Sequence, residues 1–309
     1  MIIIEDILRS KIALKNPVLA VGVFDGVHVG HQHLIRKMLK KARALRGTGV
    51  VMTFYPHPAH VLQPQKILPL LTSLSHRLKL MKSLGVAVCV VVKFTKQFSR
   101  LTPQQFIDQY VMKKIHPLEI FVGEDFHFGR NRAGDLLLLK EVGRKKEFRL
   151  NIVSHLEHGS QIVSSSRLRK LIMSGYLRQA SQLLGRPFSI LGRVVKGEGR
   201  GKKLGYPTAN INVHDGIMPP CGVYAVQVIL RHRRFQGMAN IGRRPSFANN
   251  NPVNCEVHVL DFRGNLYGQE IEAQFLKKLR DEQTFPSSQD LMRQLQKDEK
   301  RTRRFFSRR

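Results

Sequence analysis

Short apolar runs alternate with amphipathic stretches through the first half of this 309-residue chain. A continuous apolar run bounded by turn residues favours a buried strand, whereas apolar residues at helical spacing favour a helix. The predicted strands are residues 17–24, 49–54, 86–94 and 118–126, and the predicted helices are residues 33–45, 75–85 and 102–115. Strands that alternate with helices predict an α/β domain with a parallel sheet, in which ligands bind at the carboxyl ends of the strands.

The pattern changes at Gly185-Arg186-Pro187, after two short amphipathic stretches that predict helices over 165–175 and 176–185. Short segments rich in β-branched residues then alternate with turn signals, which favours an antiparallel barrel or a sandwich. These segments are residues 190–197, 222–230, 233–241, 254–262 and 265–276, and a helix is predicted over 287–306. We therefore expect two domains, residues 1–186 and residues 187–309.

The composition is strongly basic, with 52 Lys and Arg against 22 Asp and Glu and a formal net charge of +30. Such a field speeds the capture of anionic ligands. Because the excess is spread over both halves, we expect small anionic substrates rather than nucleic acid. No apolar run approaches the roughly 18–20 residues that a membrane span needs, so no membrane association is expected.

The cysteines and the first residues bear on the cellular compartment. The three cysteines are isolated and form no CxxC pair, which argues against a disulfide framework or a zinc–thiolate site. The first fifteen residues contain Glu5 and Asp6 and have no small-residue cleavage site, so we expect no secretory signal. Both observations favour the reducing cytoplasm.

The stretch GVFDGVHVGHQHLI, residues 22–35, carries the first candidate chemistry. His28 and His31 fall between a predicted strand and a predicted helix, and a helix N-terminus with two imidazoles suits phosphate. A zinc site is less favoured, because the spacing is not i, i+4 and no carboxylate or cysteine follows in register. A core position is also disfavoured for a motif with two glycines and an aspartate, whereas His33 fits a surface helix position.

FDGVHVGH resembles the HxGH signature of the nucleotidyltransferase superfamily. The longer GVFDGVHVGHQHL is similar to the FAD synthetase module of bacterial bifunctional riboflavin kinase/FMN adenylyltransferases. Three further stretches match that family in order: TFYPHP (53–58), VGEDFHFGRNRAGD (122–135) and VSSSRLRKLI (163–172). The resemblance implies a Rossmann-like nucleotidyltransferase domain that transfers the adenylyl group of ATP to FMN and releases pyrophosphate.

The same resemblance implies roles for individual residues of this domain. His28 and His31 would be catalytic, and Ser166 keeps a hydroxyl where the family usually has threonine. The implied ATP-binding residues are Gly22, Phe24, Asp25, Gly30, Ser165, Ser166 and Arg169. The implied flavin or nucleotide pocket comprises His57, Pro58, Asp125, Phe126 and Phe128. Two plainer interpretations stay open: SSSR as an ordinary helix N-cap, and the aromatic residues near 126 as core.

A second glycine-rich stretch, KGEGRGKKLGYPTANINV, spans residues 196–213. It is neither a Walker A loop nor a GxGxxG fingerprint, and by itself it also fits a flexible basic hairpin. YPTANI resembles the PTAN motif of riboflavin kinases, in which the threonine and asparagine contact Mg²⁺ and the ATP phosphates. The implied ATP-binding residues are Gly197, Gly199, Lys202, Gly205, Pro207, Thr208 and Asn210, with Thr208 and Asn210 also at the Mg²⁺.

Later stretches extend the match to riboflavin kinases. Glu256 corresponds to the family's catalytic base, although its position also fits an exposed carboxylate on a strand. Ser246 again keeps a hydroxyl where threonine is usual, and Arg280 and Phe285 are implied to approach the flavin. The resemblance covers residues 15–300 and predicts a bifunctional enzyme whose substrates are riboflavin, FMN and ATP.

Two alternatives remain: an RNA-binding protein on a nucleotidyltransferase-like scaffold, and a riboflavin kinase with an inactive first domain. Against the RNA-binding alternative, the sequence has no RRM, KH or HTH pattern and contains no Trp. The sequence sets no oligomeric state.

Overall fold

A computed structural model describes residues 1–66, 68–159, 161–197, 201, 204–213, 216–243 and 253–308. The chain forms two compact units. The first unit comprises Met1–Leu68 with Leu74–Ser165, and the second unit comprises Pro69–Ser73 with Ser166–Arg309. The domain boundary that the sequence predicts, at residue 187, stays a prediction.

The described strands of the first unit form one six-stranded sheet in the order β1-β4-β3-β2-β5-β6. All neighbouring strands in it are parallel, so the predicted parallel sheet is confirmed. The strands are β1 (Ile2–Ile4), β2 (Val18–Val21), β3 (Gly49–Tyr55), β4 (Val88–Lys93), β5 (Glu119–Gly123) and β6 (Arg149–Val153). The helices are α1 (Val29–Ala44), α2 (Pro58–Leu62), α3 (Leu74–Ser83), α4 (Pro103–Phe106) and α5 (Leu136–Lys145).

Apolar residues cover both faces of this sheet. Along β2, Leu19 and Val21 belong to one core cluster, whereas Val18 and Ala20 belong to the other. Ile35 and Met38 of α1 pack in the second cluster and are fully buried. A parallel strand buried on both faces needs apolar residues at successive positions, which is why these strands appear in the sequence as continuous apolar runs.

The order of the strands locates a crevice. The chain builds the sheet from β2 through β3 to β4, and then returns to add β5 on the other side of β2. In open α/β sheets, ligands bind where the strand order reverses, outside the carboxyl ends of the strands. The loops that follow β2 and β5 lie at this position.

The predicted helix over 102–115 differs from the observed backbone. After α4 the chain forms a π-helical turn over Ile107–Met112. In this wider turn Ile107, Val111 and Met112 are all buried against the core. Ile107 and Met112, five positions apart, share one face in this turn, whereas ordinary helical spacing would separate them by about 140° around the axis.

The described strands of the second unit close into an antiparallel barrel in the order β10-β13-β12-β11-β14-β9. The barrel is therefore confirmed over the sandwich. Its strands are β9 (Ser189–Val195), β10 (Ala209–Asn212), β11 (Gly222–Leu230), β12 (Arg233–Arg243), β13 (Val253–Val259) and β14 (Glu270–Arg280). Two short strands of the first unit, β7 (Glu157–His158) and β8 (Gln161–Ile162), pair with each other. The remaining helices are α6 (Ser165–Met173), α7 (Leu177–Leu184) and α8 (Ser288–Ser307).

A buried ion pair fastens α8 to the barrel. Asp298 of α8 is fully buried, and Oδ2 of its carboxylate accepts a hydrogen bond of 2.8 Å from Nε of Arg280 on β14. The other oxygen of Asp298 accepts a hydrogen bond of 2.9 Å from Gln294. Both carboxylate oxygens are thus bound, as a buried charge requires.

Replacing Asp298 with alanine leaves the Arg280 guanidinium without its carboxylate. We expect Asp298→Ala to lower the free energy of unfolding of the second unit by about 3–5 kcal/mol. Hydrogen exchange of the β14 amides measures this change unit by unit. The exposed ion pair of Asp281 with Lys278 provides the control, because Asp281→Ala should cost no more than about 1 kcal/mol. Equal losses in the two variants would contradict the assigned role of Asp298.

Candidate active sites

The loop after β2 is compact and strained. Phe24 and Val27 have φ angles of 54° and 42°, on either side of Gly26 at 82°. Residues with side chains adopt positive φ at a cost of about 1–3 kcal/mol, which the surrounding structure must offset. Phe24, Asp25 and Val27 are almost completely buried, so packing holds the loop in this conformation. Such strain clusters at functional sites.

His28 caps the N-terminus of α1. Its Nδ1 accepts a hydrogen bond of 3.3 Å from the backbone N–H of His31, so a neutral His28 carries its proton on Nε2. The rings of His28 and His31 stack with centroids 3.6 Å apart. A Cβ at Gly30 would lie 3.2 Å from the His28 ring, so the glycine leaves room for that ring. The sequence-predicted pair is thus brought together at a helix N-terminus.

His31 lies in an environment that disfavours a positive charge. Burial holds its pKa well below the usual value, and the nearby His28, Arg77 and His155 lower it further. Within the described part of the chain, Nδ1 of His31 is enclosed and has no hydrogen-bond partner. The His31 imidazole is therefore neutral near pH 7.

Arg77 is a candidate site residue that sequence reasoning missed. Its side chain is fully buried, and Nη1 donates to the carbonyl oxygens of Val23 (2.9 Å) and Phe54 (3.3 Å). Burial lowers the pKa of Arg77, and the Asp25 carboxylate opposes that shift. Arg77 therefore connects the loop after β2 to the carboxyl end of β3. One signal existed in the sequence, since Arg77 precedes the buried Met81 by four residues on α3 and so shares its face.

The carboxyl end of β3 brings the TFYPHP stretch to the same edge of the sheet. Thr53 is buried, and its hydroxyl donates to the Val23 carbonyl at 2.9 Å. His57 caps α2 by accepting a hydrogen bond of 3.1 Å from the Ala59 N–H, and Pro58 is the first residue of that helix. His57 and Pro58 are half-buried. Their part in a nucleotide or flavin pocket stays a prediction.

The loop after β5 separates its predicted residues. Asp125 is exposed, with Oδ2 3.9 Å from Nε2 of His155. Phe126 is half-buried, and its ring stacks on Phe128 at 5.6 Å. Phe128 is buried and belongs to the hydrophobic core, which matches the plainer interpretation of this aromatic pair. His155, which follows β6, was not predicted and lies close enough to influence His31.

The VSSSRLRKLI stretch forms the start of α6. The Ser165 hydroxyl donates to the backbone carbonyl of Asp25 at 3.0 Å, so Ser165 reaches the loop after β2. Ser166 and Arg169 belong to the second unit, where Nε of the buried Arg169 donates to the Pro69 carbonyl at 2.8 Å. The predicted contacts of Ser166 and Arg169 with ATP stay predictions.

In the barrel, three polar residues share one rung. Glu256 on β13 lies opposite Asn210 on β10 and opposite Asn240 on β12. Residues directly opposite each other in a sheet point to the same face, so these side chains are neighbours. Oγ1 of Thr208 lies 3.5 Å from Oε2 of Glu256. The structure thus brings Thr208, Asn210 and Glu256 together, and it adds Asn240, which the sequence analysis did not single out.

The segments around this rung hold other predicted residues. A Cβ at Gly197 would collide with the side-chain amide of Asn210, so only glycine fits there. The Pro207 carbonyl accepts a hydrogen bond of 2.8 Å from the His258 ring, and Gly205 lies in an exposed turn. Gly199, Lys202 and Ser246 lie outside the described residues.

Arg280 and Phe285 meet at the end of β14. The guanidinium of Arg280 lies over the Phe285 ring at 5.7 Å, while its Nε stays bound to Asp298. The predicted pair is therefore adjacent. Its approach to a flavin stays a prediction.

Comparison with known proteins shows the family of this chain. Residues 10–167 match the FAD synthetase family model, and residues 184–306 match the riboflavin kinase family model. The chain belongs to the bifunctional riboflavin kinase/FMN adenylyltransferase family. The Listeria monocytogenes member is 38% identical over 94% of this chain and 93% of its own. The Escherichia coli K12 member is 38% identical over 96% of this chain and 95% of its own.

A solved structure agrees with the fold. The crystal structure described as a macrolide-efflux protein from Streptococcus pneumoniae has a TM-score of 0.84 and 32% identity, and covers 98% of this chain and 99% of that one. Within the described ranges, this chain has no helix long and apolar enough to cross a membrane. The same residues contain no group of three or more His, Cys, Asp or Glu side chains arranged for a metal ion.

The lowered pKa of His31 predicts a pH dependence of stability. Below pH ~6.5 the unfolded chain binds a proton at His31, whereas the folded chain does not. The free energy of unfolding therefore falls as the pH decreases. The loss reaches up to about 1.4 kcal/mol per pH unit until the folded-state pKa is reached. His31→Asn removes this proton. Thermal unfolding of both proteins between pH 8 and pH 5.5 should show the smaller decline in the variant, whereas parallel curves would contradict the assignment.

Proposed function

We propose that this chain makes both flavin cofactors: the second unit phosphorylates riboflavin to FMN, and the first unit adenylylates FMN to FAD. Family membership supports both activities. The observation that carries the proposal is that each unit holds its own set of reactive groups. In the first unit this is the His28–His31 stack at a helix N-terminus, and in the second it is the rung of Asn210 and Glu256.

In the adenylylation step, a phosphate oxygen of FMN attacks the α-phosphorus of ATP, and the bond to the departing pyrophosphate breaks. Negative charge grows on the phosphate oxygens as this happens. We assign the Nε2–H of His28 as a donor to them, because Nδ1 accepts from the helix backbone and a neutral ring then carries its proton on Nε2. The free N–H groups of the first turn of α1 add a second source of stabilisation. Neither requires a covalent intermediate.

We assign Ser165 to the support of this site. Its hydroxyl holds the Asp25 carbonyl, and Arg77 holds the Val23 carbonyl two residues earlier. The loop that precedes His28 is therefore tied from two sides. Positioning of this kind supplies a large part of the rate enhancement in phosphoryl and nucleotidyl transfer.

In the kinase step, the 5′-hydroxyl oxygen of riboflavin attacks the γ-phosphorus of ATP. The new O–P bond forms, the bond to the β–γ bridging oxygen breaks, and ADP leaves. We assign the proton of the hydroxyl to the Glu256 carboxylate, acting as general base. Glu256 alternates with the buried Cys255 and Val257, so its half-buried side chain lies on the face of β13 away from the barrel core.

Magnesium is implied by the family, and the residues of the second unit suit it. The Thr208 hydroxyl and the Asn210 side-chain carbonyl are hard oxygen donors, which Mg²⁺ prefers, and both lie beside the Glu256 carboxylate. We propose that Thr208 and Asn210 hold Mg²⁺ together with the ATP phosphates. When bound, the ion neutralises charge on the phosphate oxygens.

The rival functions are weaker. An RNA-binding protein needs neither the strained loop before His28 nor the general base Glu256, and a riboflavin kinase with an inactive first unit does not need the intact histidine stack. We propose the cytoplasm as the location, because both steps consume ATP and the cysteines form no disulfide among the described residues.

A time course tests the function. The purified chain is incubated with riboflavin, ATP and Mg²⁺, and the products are separated by chromatography. We expect FMN to appear first and then give way to FAD. FMN that accumulates without FAD would support the inactive first unit. No turnover, together with salt-dependent binding of RNA, would support the RNA-binding alternative.

Removal of both imidazoles tests the first unit. We expect His28→Ala combined with His31→Ala to lower the rate of FAD formation from supplied FMN by about 100-fold or more, because the donors to the phosphate oxygens are lost. FMN formation from riboflavin in the same sample serves as the control and should be unchanged. Full FAD synthesis by the double variant would reject the assigned role of the histidines.

Removal of the base tests the second unit. We expect Glu256→Gln to lower the rate of FMN formation by about 100-fold or more, since the amide cannot accept the hydroxyl proton. FAD formation from supplied FMN should stay at the level of the unsubstituted chain. If both activities fall together, Glu256 has a structural role instead.

A further inference from the structure

We propose that Tyr206 and Glu299 are positioning residues for riboflavin phosphorylation, through which α8 holds the phosphate-binding segment in front of β10. The proposal rests on the proposed kinase function of the second unit. It adds a role for two residues, Tyr206 and Glu299, that lie outside the PTAN motif. Neither residue is proposed to contact substrate.

The phosphate-binding segment needs support because its residues lie outside the hydrogen-bonded strands of the barrel. Tyr206, Pro207 and Thr208 precede the first residue of β10. Pro207 has no N–H to donate. The Tyr206 N–H donates to the Gly201 carbonyl at 2.8 Å, which closes the end of the glycine-rich stretch. The orientation of Thr208 therefore depends on the contacts that Tyr206 and Pro207 make with other residues of the unit.

Tyr206 makes the contact to α8. Its hydroxyl donates a hydrogen bond of 2.9 Å to Oε2 of Glu299, and its ring meets the His258 ring edge-on at 5.1 Å. Burial, followed by the hydrogen bond to Glu299, raises the pKa of Tyr206 to about 12. The hydroxyl is thus a donor at every pH at which the enzyme works.

Glu299 is itself held in place. Its Oε1 accepts a hydrogen bond of 2.8 Å from Nε of Arg303, one helical turn further along α8. The other two nitrogens of that guanidinium bind both oxygens of Asp261, at 2.9 Å and 2.7 Å. Asp261 follows the end of β13, the strand that carries Glu256. The chain of contacts therefore runs from β13 through α8 to Tyr206.

A second contact from β13 completes the frame. The His258 ring accepts the edge of Tyr206 and donates from Nδ1 to the Pro207 carbonyl at 2.8 Å. His258 lies two residues after Glu256 and hence on the same face of the strand. β13 thus carries both the general base and the histidine that supports the phosphate-binding segment. The contacts of Tyr206 and Pro207 therefore set the distance between Thr208 and Glu256.

The test separates positioning from general stability. Tyr206→Phe keeps the ring against His258 and removes only the hydroxyl, and Glu299→Gln removes the charge that accepts it. We expect each variant to raise the KM for ATP in FMN formation about threefold to tenfold, the usual range for one hydrogen bond. The kcat at saturating ATP and the KM for riboflavin should change less than twofold. The double variant should raise the KM for ATP no more than the more impaired single variant, because Glu299 acts on the segment only through the Tyr206 hydroxyl.

Two controls accompany the variants. Tyr267→Phe makes the same chemical change at an exposed tyrosine of the second unit and should leave the KM for ATP unchanged. FAD formation from supplied FMN, measured in every sample, reports on the first unit and should be unchanged.

The outcomes are distinct. A rise in the KM for ATP confined to the kinase reaction supports the proposal. An unchanged KM for ATP in Tyr206→Phe overturns it. Equal loss of kcat, of both KM values and of the melting temperature indicates a merely structural hydrogen bond and also overturns it. Absence of FMN formation in the unsubstituted chain would instead refute the proposed function itself.

Discussion

A single buried guanidinium holds the first active site together. Arg77 binds the carbonyl oxygen of Val23, which follows β2, and that of Phe54, near the carboxyl end of β3. Nε and Nη2 of this guanidinium have no hydrogen-bond partner among the described residues, so the contacts of Nη1 and the nearby Asp25 carboxylate compensate for the burial of its charge. Asp25, His28 and the start of α1 all follow within six residues of Val23. The positions of the imidazoles therefore depend on the hydrogen bonds that Arg77 makes to these two carbonyl oxygens.

The two units position their proposed phosphate-binding groups by different means. The first unit uses the free N–H groups of a helix and two imidazoles stacked on each other. The second uses side chains on adjacent strands of a closed barrel, where the register determines which residues are neighbours. In both cases the groups are placed by backbone hydrogen bonds before any ligand arrives. Such preorganisation is what makes electrostatic stabilisation of a transition state effective.

Much of this arrangement could be predicted from the sequence, and the exceptions have physical reasons. The central strands of the sheet are continuous apolar runs because helices cover both of their faces. β1 and β6 were missed because they are short edge strands, and β6 interrupts its apolar residues with Arg149 and Asn151. Arg77 was missed because arginine is almost never fully buried, so its presence in a helix favours a solvent-facing position.

Local motifs were recognised more easily than tertiary partners. His28 and Thr208 stand in stretches whose residue types suit phosphate, and such stretches can be identified from sequence alone. Asn240 and His155 reach their sites only through strand pairing, of β12 with β13 and of β5 with β6, which no local motif specifies. The stack of His28 on His31 depends instead on three residues of helix, each of which turns the chain by about 100°. An insertion or deletion between residues 28 and 31 would therefore turn one imidazole away from the other.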